Sequence, residues 1–443
     1  MPVAGIRAKD QPCRFGCRGL GVASFGRPAS LEEDPFTREP RLAQRRLRFR
    51  GPLPWAAPPP RSAGSAWHDR RVTEETDLHL DVAGESRLHL ALRRCWQPVC
   101  RVSELEGKPL PVTLLDEQLV VVRLGDEIAC FPDLCVHRGT ALSLGWVDDG
   151  SRPAPDGSGS VGEPCLVCAY HGWSYDRRGV VRRIPAVHGR SIPARARVAR
   201  YATAVAVGLV WVLLEAGPGG WEDPSAAYPL PQADSWWEQP GFRTIPIETY
   251  DWACSAARRV ENFVDFSHFP WVHPGVLGDR SKPLSPEHEV IDDGVTISFD
   301  IALEEPQASV KGDVAPGVKV QRDPTTYTLH LPLSVTLDQR LPPSTDRPEG
   351  NRFLLFLAVA PLSARQCRSF TWNARTYSLD PAADAALADF QALILDQDRP
   401  IAESQRPEEL PVDLSQELHI AGPDRASIAY RRRLAALAEL GAQ

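Results

Sequence analysis

The segments CVHRGTALSLG, from Cys135 to Gly145, and CAYHGWSYDRRG, from Cys168 to Gly179, decide how this chain folds. Each offers one thiol and one imidazole a few positions apart: Cys135-x-His137 in the first and Cys168-x-x-His171 in the second. The flanking runs have strand character, which places both segments in loops. Two such loops facing each other supply four ligands. Two sulfurs on one iron and two nitrogens on the other suit an asymmetric [2Fe–2S] cluster. Its neutral imidazoles raise the reduction potential to about −150 to +300 mV, from about −400 mV for thiolates alone. A Cys2His2 zinc site would use the same four residues. The repeated pairing, followed by Arg138-Gly139 and by Gly172-Trp173, favours the cluster. Cys165 lacks a histidine at the matching offset and is read as a bystander.

Working outward, Pro111 to Phe131 reads as short hairpins: VTLL, LVVVRL, a Gly125-Asp126 turn and EIACF. Val180 to Ile184 and Ala202 to Leu214 add strand-like runs. The stretch Asp148 to Pro164 is rich in Gly, Ser, Pro and Asp and is expected as a surface loop. It lengthens the gap between His137 and Cys168 to 30 residues. Doubling a flexible loop costs only about 0.6 kcal/mol in closure entropy, so the pairing of the two segments survives it. A Pro/Gly/Trp-rich connection from Gly217 to Gly241 marks an internal boundary. Alternating stretches follow at Val295–Leu303, Tyr327–Leu337 and Arg352–Pro361. The end is helical: Asp380-Pro381 is an N-cap and first-turn pair, and Pro423 opens a last helix. The expected organisation is a low-order tail over 1–75, a small β domain over 88–216 and a larger α+β domain over 217–443.

At 443 residues the chain is long enough for two or three domains. Its net charge of −7 argues against coating nucleic acid or an anionic membrane. No apolar run is long enough to span a bilayer, and the first residues lack the apolar core of a secretory signal. The expectation is an intracellular, cytoplasmic protein. Ten cysteines are too few for a disulfide scaffold, which leaves metal ligation as the reading where they cluster. Cys13 and Cys17, without a second pair, are assigned no role.

A second constellation lies in ARRVENFVDFSHFPWVHPG, from Ala257 to Gly275, which holds Glu261, Asn262, Asp265, His268 and His273. Its first half is expected as a helix with Asp265 and His268 on one face. On a continuous helix His273 would point about 140° away from His268. Both reach one metal only if the helix ends or bends between them, and Pro270 is expected to supply that break. Two imidazoles and a carboxylate leave open positions on iron, as non-haem Fe(II) oxygenases require. The carboxylate must come from elsewhere, and LDQDRPIAESQ (Leu395 to Gln405) offers Asp396, Asp398 and Glu403. Asp396 and Asp398 lie about 200° apart on a helix, so only one can face the metal.

Both constellations resemble the Rieske non-haem iron oxygenases. The two Cys/His segments resemble that family's cluster loops, with Val136 and Ala169 standing where the family often has proline. Trp96 to Leu115 is similar to the lead-in to its cluster domain, and Asn262 to His273 resembles its Asn-x2-Asp-x2-His-x4-His motif. The final LDQDRPIAESQRPEELP resembles the branch of vanillate demethylase-like and pheophorbide oxygenase-like enzymes. The resemblance implies an α+β fold: a small antiparallel β domain, then a larger antiparallel sheet flanked by helices holding a mononuclear iron. It implies a [2Fe–2S] cluster on Cys135, His137, Cys168 and His171, and Fe(II) on His268, His273 and Asp398, with Asp396 second and Glu403 in solvent or beside a ligand. It also implies that Asp265 and Asn262 serve catalysis. The implied activity is that of an oxygenase component, more often a monooxygenase than a dioxygenase. It passes electrons from an NAD(P)H-dependent reductase or ferredoxin through the cluster to the iron, to hydroxylate or demethylate a small aromatic or heterocyclic substrate. Finally, it implies a head-to-tail homotrimer in which Asp265 joins His268 to His171 of a neighbouring subunit. The rival readings are a cluster-only electron carrier and a zinc-stabilised binding module.

Overall fold

The computed structural model describes residues 82–151, 162–187, 191–302, 325–341, 348 and 350–440. The expected tail over 1–75, with Cys13 and Cys17, lies outside them. Helix α1 (Val82–Ala91) precedes β1 (Gln97–Arg101), and a meander follows from β2 (Leu110–Leu114), β3 (Glu117–Leu124) and β4 (Glu127–Pro132). Next come β5 (Trp146–Asp148), β6 (Cys165–Val167), β7 (Ser174–Tyr175) and β8 (Val181–Arg183), paired in that order. Asp148 pairs with Cys165, so the insertion between the cluster loops is the connection of a β5–β6 hairpin. The run Ala202 to Leu214, expected as one strand-like stretch, is two: β9 (Ala202–Ala206) and β10 (Leu209–Leu213). Val207 and Gly208 both take positive φ between them, which folds the run back on itself, and β1 pairs with β10 to complete a three-stranded sheet.

The connection after β10 has no strand, yet it is tied down. Trp236 and Trp237 from it pack with Trp211, Phe356 and Trp372. Beyond it come β11 (Arg243–Trp252), α2 (Ala256–Val264), the one-turn α3 (Phe269–Val272), β12 (Ile291–Asp292) and β13 (Thr296–Ile301). Then follow β14 (Thr325–His330), β15 (Ser334–Leu341), β16 (Asn351–Ser363), β17 (Gln366–Arg375), α4 (Asp384–Ser404) and α5 (Arg425–Leu440). Their sheet is antiparallel, in the order β11-β17-β16-β15-β14-β13-β12. The α+β architecture is thus the expected one.

Strand β3 explains how the cluster loops are held. Leu119, Val120, Val121 and Val122 are all fully buried, because both faces of the strand are covered. Leu119 and Val121 join a large core that runs through the seven-stranded sheet to α5. Val120 and Val122 point the other way, into a smaller core with Phe131, Leu142, Leu166 and Tyr175 that contains Cys135 and Cys168. Among the described residues no helix is long and apolar enough to cross a membrane.

Candidate cluster and metal centres

The first cluster loop follows β4. Asp133 closes its base, accepting from the backbone N–H and hydroxyl of Ser143 at 2.7 and 2.6 Å. The second loop joins β6 to β7. Each then makes the same tight turn: Gly139 N–H donates to the Cys135 carbonyl at 2.8 Å, and Gly172 N–H to the Cys168 carbonyl at 3.0 Å. Gly139 and Gly172 take φ of 67° and 69°, a region that favours glycine. Cys135 N–H donates to the Thr140 carbonyl, and Cys168 N–H to that of Trp173.

The turns bring four donors together in two kinds of environment. The sulfurs of Cys135 and Cys168 are buried, whereas His137 and His171 are exposed at the loop tips. The two imidazole centroids are 4.5 Å apart, and His137 stacks on Trp173 at 4.6 Å. Burial, then the adjacent Cys135, pushes the Cys168 thiol up. Partial desolvation, then the neighbouring His171 and Arg138, lower His137. This inner sulfur pair and outer nitrogen pair fit the asymmetric cluster. Tyr175 was not singled out by sequence. Its hydroxyl accepts from Val136 N–H at 3.2 Å and lies 3.0 Å from Cys135 Sγ, and burial raises the phenol above its ordinary range. Cys165 faces away: its Sγ meets the Glu163 carbonyl, and burial holds the thiol at about 12.

The second site forms where α2 stops. Ser255 caps α2 by accepting from Arg258 N–H at 3.2 Å. The helix ends at Val264, and Asp265 takes an extended conformation at its C-cap. One oxygen of Asp265 accepts from Ser267 N–H at 2.8 Å, a local bond that competes with further helix. The other lies 3.2 Å from His268 Nδ1. The expectation that Asp265 and His268 share one helix broken at Pro270 is therefore corrected. The break falls between them, and Pro270 sits in the first turn of α3, where its missing N–H has no partner to lose. His268 and His273 flank α3 as its N-cap and C-cap, with ring centroids 5.2 Å apart.

Asp398 reaches both histidines from α4. Its Oδ1 lies 3.4 Å from His268 Nε2 and 3.0 Å from His273 Nε2. All three atoms are buried and make no well-formed hydrogen bond, and they fall within 4.8 Å of one another. Three converging donors left unsatisfied in the interior are what a two-histidine, one-carboxylate iron site requires. Asp396 is exposed on another face of α4. Glu403 accepts from Ala253 N–H and from Arg399, each at 3.0 Å. Burial works to lower His268, but Asp265 and Asp398 outweigh it and raise the imidazole to about 9 in the metal-free chain. Burial would raise Asp398, and the two histidines instead hold it well below the carboxylate range.

Two residues that sequence reasoning missed support this centre. Gln397 Oε1 lies 2.8 Å from His273 Nδ1, on the side away from Asp398. Arg259 is buried over the Trp252 ring at 4.5 Å and donates to Asn262 Oδ1 at 3.0 Å. Asn262 thereby forms part of the wall of a pocket that ends at His268, His273 and Asp398. The sheet supplies that pocket's floor through cross-strand register. Thr325, Gln339 and Phe353 form one row over β14, β15 and β16, and Tyr327, Leu337 and Leu355 form the next. These positions alternate along each strand, so all six share one face.

Residues 95–202 match the family described as the Rieske [2Fe-2S] domain, and residues 252–440 match the vanillate O-demethylase oxygenase C-terminal domain. Methylxanthine N1-demethylase NdmA of Pseudomonas putida is 34% identical over 357 residues, which are 79% of this chain and 90% of that protein. Methylxanthine N3-demethylase NdmB of the same organism is 33% identical over 347 residues, 77% and 88% of the two chains. The solved structure of an NdmA variant with theobromine has a TM-score of 0.64 at 31% identity, covering 80% of this chain and 92% of that one.

Proposed function

This chain belongs to the Rieske oxygenases, and on that premise we propose that Cys135, His137, Cys168 and His171 hold its [2Fe–2S] cluster, while His268, His273 and Asp398 hold its mononuclear iron. It is an oxidoreductase that uses O2, takes electrons from a reductase or ferredoxin, and acts on a small aromatic or heterocyclic substrate. The observation that carries the site assignment is the convergence of His268 Nε2, His273 Nε2 and Asp398 Oδ1, unsatisfied and buried, at the end of an apolar pocket. A cluster-only carrier or a zinc-stabilised module leaves that convergence without a purpose.

When bound, the cluster supplies single electrons and the iron activates O2. The chain's own residues arrange the rest. Asp265 and Gln397 accept from the Nδ1–H of His268 and His273, which turns both Nε2 lone pairs inward. The aromatic walls exclude water and hold a planar substrate against the metal end. One oxygen atom enters a substrate C–H bond, while the other leaves as water with two protons and two electrons. If that carbon is a methyl on nitrogen or oxygen, the hydroxymethyl product breaks to formaldehyde and an N–H or O–H. The relatives named as demethylases support this form of the reaction. The proposed electron source is an NAD(P)H-dependent reductase, and the proposed assembly is a homotrimer.

Three irons and two acid-labile sulfides per chain are expected for the loaded protein. His268→Ala should retain the cluster's brown colour and its two irons but release no product. Unchanged product formation in that variant would overturn the assignment.

A further inference from the structure

We propose that Gln339 and Gln391 determine specificity by selecting a neutral heterocycle with a lactam edge, an N–H beside a C=O, over an arene that carries a carboxylate. This rests on reading the pocket as the substrate site of an oxygenase.

The first observation concerns charge. Among the described residues that line the pocket, the ionisable groups near a substrate's reach are His268, His273 and Asp398, together with the Tyr327 phenol. The first three are taken by the iron. No arginine or lysine among the described residues lines it, so those residues offer an entering carboxylate no cation in exchange for its water. The other polar groups are neutral: Asn262, Thr325, Gln339 and Gln391.

The second concerns Gln339. It lies in the middle of the sheet floor, between Thr325 and Phe353, and is 2% exposed. Its Oε1 is buried without a hydrogen-bond partner among the described residues. A buried acceptor of this kind is destabilising until a donor arrives. A glutamine amide presents an acceptor beside a donor, and a lactam presents the same pair reversed. Exchanging the amide's oxygen and nitrogen leaves that complementarity intact.

The third concerns position. Gln391, Ile394 and Asp398 all line the pocket from α4. Gln391 and Asp398 are about two turns apart on one face, ~10 Å along the axis. One polar group therefore stands well removed from the metal end, with Phe263, Tyr327 and Phe353 available to cover a flat ring. A planar guest fits with a methyl group toward the iron and its lactam edge turned to the amides.

The test uses the full chain carrying both cofactors, with theobromine as the neutral lactam and 4-methoxybenzoate as the anion. Calorimetry gives binding, and formaldehyde release with a surrogate reductase and NADH gives turnover. Wild type is expected to bind theobromine at least about tenfold more tightly than 4-methoxybenzoate. Gln339→Leu and Gln391→Leu should each weaken theobromine binding about tenfold and raise KM correspondingly, with kcat largely kept. Neither should weaken binding of neutral 4-methoxytoluene, which brings no donor to the amides. Cluster absorbance verifies that each variant is folded, and the two variants sit on different elements so that one can stand in for the other. Equal or tighter binding of the anion would overturn the proposal, as would unaltered theobromine binding in both variants. Failure of every probe to yield formaldehyde or consume O2 counts against the oxygenase assignment of the pocket instead, because binding is measured separately.

Discussion

His273 is fully buried, and its orientation depends on Gln397 Oε1 at 2.8 Å. Partners of this kind typically contribute 10–100-fold to metal affinity. Gln397→Leu is therefore expected to weaken iron binding by about 10–100-fold while the cluster stays intact. Asp396→Asn, one position earlier and exposed, should leave affinity unchanged. Iron retained against a graded chelator checks both, and equal loss in the two variants would refute the assignment. The choice between Asp396 and Asp398 was partly legible beforehand, because two positions apart on a helix cannot face the same point. Burial favours Asp398, which is 6% exposed. Gln397 was not legible. It is one of two glutamines among acidic residues, and its role exists only because folding brings it to a histidine 124 positions away.

Among elements, the cluster loops were the most readable, because each places its thiol and imidazole within a single turn. Their glycines also differ in a testable way. A Cβ at Gly139 would meet nothing within 4 Å, whereas one at Gly172 would lie 3.1 Å from Pro185 Cγ. Gly139→Ala thus carries mainly the left-handed backbone penalty, about 1–2 kcal/mol. Gly172→Ala adds a tight contact. Thermal scans following cluster absorbance should show a larger loss for Gly172→Ala, and the reverse order would contradict this account of the loops. Strand β17 alternates polar and apolar residues from Ser369 to Arg375, a pattern that predicts a strand with one face in water. Phe370, Trp372 and Ala374 enter one core, but Ser369, Thr371, Asn373 and Arg375 on its other face are buried too. The alternation reveals the strand but not the cover over its polar face, which tertiary packing supplies. Pro270 misled for a different reason: proline both ends helices and begins them, and only the Asp265 turn shows which applies here.

For the whole molecule, β3 joins the cluster-bearing core to the large one, so the two halves do not pack as independent bodies. The side chain of Asp265 is 36% exposed beside a His268 that is 13% exposed, and His171 is exposed at a loop tip. These features accord with the proposed trimer, in which Asp265 faces His171 of a neighbouring subunit. Asp265→Asn should then keep three irons per chain and the trimer's sedimentation, yet slow substrate-dependent oxidation of the cluster by about 10–100-fold. Wild-type single-turnover rates would rule the bridge out. A last consequence follows from α4. Its first turn is clamped where Asp384 meets Arg243 and Arg375, and the same rod carries Gln391, Ile394 and Asp398. In the proposed reading, guest and metal are thus gauged on one ruler with a fixed zero. Exchanging a side chain at rung 391 or 394 can lengthen or shorten the acceptable molecule while the catalytic end keeps its alignment, which makes this helix a place where a lineage can change its diet in small steps.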